Sequence, residues 1–262
     1  MSGLVCLVAL LATCPVQAGD VEPGKYETGY GSAAKLTQDL YRALENKQRG
    51  QLYPVPVLLE TVTIPYMQPS QYFDGTNNWQ AVQISAGFVN LINYLSHAKA
   101  IEGVEVGYYE KSLASLASAA TDKPMPVLQN ISSQKSWDFD VINHQVSQFN
   151  QMVGALIAVD MAHHYLGHYK KYASRLVDAQ NHAVAINTVI TPKEWHEAVM
   201  KGARNALDCG LGVEGLQTVF ESLEKMQARP AWSVYFLPQQ ANTAKIKKDL
   251  ARMEKDFFLS SK

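Results

Sequence analysis

The segment "ALIAVDMAHHYLGHYKKY", residues 155–172, places His163, His164 and His168 within six positions. Neutral imidazole is the commonest protein ligand for transition metals. Two histidines one helical turn apart project from the same face and can hold one ion. Asp160 precedes His164 by four residues and His168 by eight, so an unbroken helix would align all three. In zinc hydrolases with an H-E-x-x-H helix, the two histidines bind zinc and the glutamate takes a proton from the zinc-bound water.

Two registers of that motif fit the stretch. In the first, His164 and His168 are the histidine pair and Tyr165 stands at the base position. A phenol with an ordinary pKa near 10 is a poor general base at neutral pH. In the second, Val159 replaces the first histidine, Asp160 replaces the glutamate, and His163 is the second histidine.

The elements that must position these groups are read from periodicity and punctuation. Residues 19–33 are Gly-rich and polar and are expected to be an extended lead-in. Helical spacing covers 32–50, and a strand or strand pair is expected over 53–67, near a sheet edge because of its prolines. Residues 69–79 carry turn chemistry. A strand over 80–87 leads into a helix over 88–103 that buries Phe88, Leu91, Ile92 and Leu95 on one face. A short helix and a polar loop are expected over 104–140, and one long helix or two over 143–180. Thr191, Pro192 and Glu194 form a capping-box start to a helix reaching about Cys209, where "GLG" ends it. Further helices follow over 213–226 and 241–258, with an aromatic loop over 228–239 between them. The expected fold class is α+β, mostly α, with a small β-sheet in a single domain over 19–262.

The N-terminal run "GLVCLVALLATCPVQA" reads as a signal peptide over 1–18, cleaved after Ala18. It is too short to span a bilayer comfortably. The mature chain is thus expected to be exported, periplasmic or secreted, with no transmembrane segment. Thr13 before Cys14 fits a lipoprotein signal poorly. Cleavage would leave Cys209 as the one remaining thiol and no internal disulfide framework. A net charge of −1 gives no general pull toward nucleic acid.

Three separated blocks carry a resemblance. Ala155, Ile157, Ala158, Ala162 and His163 match the motif helix of the zinc metallopeptidases related to the CAAX prenyl endopeptidase and HtpX, a family that often has another histidine where His168 stands. "NNWQAVQISAGFVNLINYL" (77–95) resembles the family's strand and helix upstream of that motif. "HEAVMKGARNALDCGLGVEGLQTVFESLEKM" (196–226) resembles the helices that follow it, with Ala198, Gly202, Leu207, Gly210, Glu214 and Phe220 in phase. The resemblance implies a zincin-like, gluzincin-type helical domain with a small sheet.

It also implies which groups have been replaced. In its phase Val159 holds the first histidine position, Asp160 the base, Trp195 the third-ligand glutamate and Val199 the aspartate after it. Only His163 keeps a ligand. Asp160 retains a carboxylate one methylene shorter, and a misplacement of about 1 Å can cost roughly 100-fold in rate. The expected function is a non-catalytic pseudo-peptidase acting as a binding or scaffold protein, with no zinc and with a protein or peptide partner at the remaining cleft. The alternative is an active zinc metallopeptidase with a remodelled ligand set drawn from Asp160, His163, His164, His168 and Glu194.

Each candidate also has a plainer reading. Glu194 is explained as a helix cap, Asp160 as an ion-pair partner, and His163 or His168 as a hydrogen-bonded, half-buried histidine. His97, His144, His182 and His196 lack metal-like spacing, Cys209 reads as a buried thiol, and the aromatics of 232–238 read as a core plug.

Overall fold

The computed structural model describes residues 27–118, 125–176, 184–226 and 229–260. The expected signal segment, Cys6, Cys14, His182 and residues 19–26 of the lead-in lie outside them. Nine α-helices and one three-stranded sheet are formed among the described residues. This is the mostly helical α+β class that the periodicity predicts. None of these helices is long and apolar enough to cross a membrane.

The organising element is α5 (Phe139–Tyr165, 27 residues). From Met152 to Tyr165 every one of its residues is buried. A helix buried on all sides needs neighbours on all sides. Those neighbours are α1 (Glu27–Ala43), α3 (Ala86–Glu102), α7 (Pro192–Asp208) and α8 (Glu214–Lys225), with the sheet across the C-terminal half. The α5–α7 crossing is especially close. A Cβ on Gly202 would sit 2.6 Å from the backbone N and Cα of Val159, so only glycine fits there.

The sheet has the order β1-β3-β2, from β1 (Val57–Glu60), β2 (Met67–Phe73) and β3 (Asn78–Ser85). β1 runs parallel to β3, with Val57 opposite Val82. β2 runs antiparallel, from Met67 opposite Ile84 to Phe73 opposite Asn78. The turn chemistry expected over 69–79 is confined to four residues. Asp74 Oδ1 accepts from the Thr76 and Asn77 amides at 2.8 and 2.7 Å, and β2 extends through Pro69. The proline is tolerated because of register. Ser85 N donates to Tyr66 O (3.0 Å), so bonded pairs fall at Tyr66, Gln68, Ser70 and Tyr72, and Pro69 turns its missing N–H away from β3.

Ser85 joins sheet to helix. Its hydroxyl caps α3 by accepting from Phe88 N (2.9 Å), donates to Ile64 O (2.7 Å) and accepts from Tyr66 N (3.0 Å). Phe88, Leu91, Ile92 and Leu95 are buried as the spacing predicts. The lead-in differs from expectation. Residues 27–33 are helical, since α1 starts at Glu27 despite Gly29 and Gly31. Tertiary contact outweighs their low helix propensity, with Tyr30 Oη donating to Val57 O at 2.9 Å. Short helices α2 (Asn46–Arg49), α4 (Tyr108–Ser118) and α6 (His168–Tyr172) and the C-terminal α9 (Thr243–Ser260) complete the fold. Trp232, Phe236 and Leu237 are buried, so the 232–238 aromatics are indeed a plug.

Candidate functional site

Asp160, His163 and His164 sit on the last turns of α5, and the helix stops before His168 can join their face. α5 ends at Tyr165, Gly167 takes a left-handed φ of 76°, and α6 begins at His168. Glycine enters that region without a Cβ penalty. The i, i+4, i+8 alignment of Asp160, His164 and His168 therefore does not form. The reversal brings His168 back onto His163 instead, with the two Nδ1 atoms 3.1 Å apart and the rings 5.3 Å apart. Both histidines are buried, at 1% and 5% exposure.

His164 turns to the other side of α5. Its Nε2 lies 2.8 Å from Ala81 O and must donate, which fixes the tautomer and pins α5 to β3. Burial pushes its pKa down to about 4, against the pull of the Ala81 carbonyl. His163 is pushed down to about 3 by burial first and then by His168 and His164, with Glu194 pulling upward. His168 is also lowered by burial, opposed by Glu194 and Glu197.

Glu194 belongs to the capping box of α7, as its spacing predicts. Its carboxylate accepts from Thr191 N (2.9 Å), Thr191 Oγ1 (2.8 Å), Tyr172 Oη (2.9 Å) and Lys171 Nζ (2.7 Å). Burial alone would raise its pKa; these hydrogen bonds outweigh that and hold it at about 2. With its oxygens so committed, Glu194 is a cap that lends negative charge to the histidine pair. The remodelled set is thus dispersed: His164 faces the sheet, His163 and His168 face each other, and Glu194 faces its own cap. No group of three or more His, Cys, Asp or Glu side chains is arranged to hold a metal ion among the described residues.

A different convergence is present. Val159, Asp160 and His163 from α5 and Trp195 and Val199 from α7 line a single void of about 10 Å³. Leu156, Met67, Phe220, Asn187, Tyr235 and Phe236 complete its lining. The Trp195 ring packs on Phe220 at 5.6 Å, Tyr235 on Tyr66 at 5.4 Å, and Phe236 on Phe88 at 5.8 Å. A void of that size has room for about one water molecule. Packed aromatic rings surround this void.

Asp160 is the chemically unusual member. It is 5% exposed, and its Oδ2 has no protein hydrogen-bond partner. Burial raises its pKa well above the usual carboxylate range. Among the described residues the expected ion pair to Asp160 is not formed. Asn187 was not foreseen. Its Nδ2 donates to Tyr235 O (3.0 Å), and its buried Oδ1 has no protein partner. It lies in a 3-10 turn (Ile186–Thr188) within a loop that carries no motif, so no sequence signal marks it.

The remaining singled-out residues have local roles. His97 is buried against Ser136 O (2.8 Å), His196 pairs with Asp249 (3.0 Å), and His144 meets Gln148 (3.4 Å). Cys209 is half-buried at the end of α7, with its thiol pKa raised by burial and by Asp39. A larger, open recess of about 490 Å³ lies between α4 and α8, crossed by the exposed Lys225–Glu110 pair (3.0 Å).

No family model, no curated protein and no solved structure matches this chain.

Proposed function

We propose that this chain is an exported pseudo-peptidase: a zincin-like scaffold of the H-E-x-x-H type whose former metal centre has become packed core. The supporting observation is the convergence of Val159, Asp160, His163, Trp195 and Val199 on one void. The sequence resemblance assigns those five positions to the first histidine, the base, the second histidine, the third ligand and its following aspartate. They come from two helices well separated in sequence that pack directly against each other.

The side chains at those positions favour loss of catalysis. Val159 cannot ligate, Trp195 fills a ligand's place with an indole, and catalytic zinc sites normally use three protein ligands. The carboxylate at the base position is buried. The protein then acts as a binding or scaffold module in the periplasm or outside the cell, through its outer surface. A remodelled active enzyme draws no comparable support, since His164 and Glu194 are committed elsewhere.

Restoring the ligands tests the reading. Purified without added metal, the protein should carry no stoichiometric zinc. The triple variant Val159→His, Asp160→Glu, Trp195→Glu should acquire about one zinc per chain by elemental analysis, because the scaffold still holds those positions together. A triple variant with a native-like circular dichroism spectrum and no zinc would refute the proposal. So would one zinc per wild-type chain that is lost in His163→Ala.

A further inference from the structure

The void beside Asp160 has a chemistry of its own, independent of its ancestry. Two oxygens in its lining residues, Asp160 Oδ2 and Asn187 Oδ1, are buried without a protein partner. His163, also in the lining, uses its Nδ1 toward His168 and leaves its Nε2 as its second polar atom. Buried polar groups in folded proteins are almost always satisfied, and leaving one unmade is costly. A volume of about 10 Å³, lined by two residues that carry unpartnered oxygens, is about the size needed for one internal water.

We propose that this void binds a single structural water molecule held by Asp160, Asn187 and His163. A metal ion fits the site less well. A hard cation takes six or more oxygen ligands or keeps several waters, and the rest of this wall is Val159, Trp195, Val199 and Phe220. Zinc wants four ligands, and an amide oxygen is a weak one.

Counting hydrogens assigns the network. A lone buried carboxylate in an apolar wall is neutralised in preference to remaining charged. Asp160 as the acid donates its O–H to the water. The water donates to Asn187 Oδ1 and to His163 Nε2. His163 then carries its hydrogen on Nδ1 and donates it to His168 Nδ1. Each hydrogen placed in this network meets an acceptor, and no charge is buried in it.

A crystal structure and two variants test the proposal. Electron density should show one peak within hydrogen-bond distance of Asp160 Oδ2 and Asn187 Oδ1, without anomalous signal. Nitrogen-15 spectra should show His163 protonated at Nδ1. Asp160→Asn, whose amide still donates to the water, should leave the melting temperature close to that of the wild type. Asp160→Ala should lower it by several degrees and free the water. An empty void, an anomalous peak at ligand distance, or Asp160→Asn as damaging as Asp160→Ala would overturn the assignment. The zinc-restoration experiment reads none of these, so the two proposals fail separately.

Discussion

The Nδ1 atoms of His163 and His168 face each other at 3.1 Å inside the protein, a contact made possible by the left-handed turn at Gly167. One ring must donate and the other accept, so at least one of them is neutral. Removing one partner strands a buried polar atom. His168→Ala should therefore lower the unfolding free energy by about 1–3 kcal/mol in a urea titration. His163→Leu combined with His168→Ala should cost less than the sum of the single changes, because the stranded group is gone. Additive costs would mean that the two rings do not interact.

Acid should destabilise the protein well before ordinary carboxylates titrate. His163 and His164 have folded pKa values of about 3 and 4, both lowered chiefly by burial, and His168 is lowered too. The unfolded chain takes up protons near pH 6.5 that the folded state refuses, so this stability is present above pH 6.5 and is lost as pH falls toward 4 and 3. Asp160 acts in the opposite sense, because its raised pKa favours the folded state at low pH, but it is one group against three. Melting temperature should fall between pH 6.5 and 4. The slope should be shallower in His164→Gln, which keeps a donor for Ala81 O, and steeper in Asp160→Asn. A flat profile over that range would contradict the buried, neutral histidines.

The cap of α7 should be measurable on its own. Thr191 Oγ1 accepts from Glu194 N (3.2 Å) and donates to the Glu194 carboxylate. Thr191→Ala should cost about 0.5–2 kcal/mol. Glu194→Gln should preserve part of the box while losing the charged contact to Lys171, which is largely exposed at 59% and contributes little. The informative readout is the pH profile. Glu194, held at about 2, adds stability above pH 4.5 that is lost on further acidification, and Glu194→Gln should remove that low-pH component.

The sequence made some of this legible and hid the rest for physical reasons. The α7 start could be read because a capping box is local chemistry at fixed spacing. The β3–α3 unit could be read because alternation gives way to helical spacing at Ser85. The break at Gly167 could not, since one glycine inside a helical pattern is compatible with continuation, and His168 lay in phase with His164. Pro69 pointed to a turn because the ladder register that spares its missing N–H is set by Tyr66 and Ser85. Asn187 gave no signal at all. Its interest comes from an orphaned oxygen on a residue lining a void that only packing creates.

The close approach of α5 and α7 gives a sharper test of how the centre is built. Gly202 lies against the Val159 backbone, where an added Cβ would meet N and Cα at 2.6 Å. Backbone cannot swing aside as the tip of a long side chain can, so Gly202→Ala must push the two helices apart. Overpacking of this kind costs roughly 1–3 kcal/mol or more. It also separates Val159 and Asp160 from Trp195 and Val199, so the water between them should be lost. Gly31 provides the control. It too is helical, in α1, but a Cβ there meets nothing within 4 Å. Gly31→Ala should raise stability by about 0.5–1 kcal/mol by limiting the unfolded chain and favouring the helix. Equal effects at the two sites in chemical denaturation would show that the α5–α7 crossing is looser than its geometry indicates.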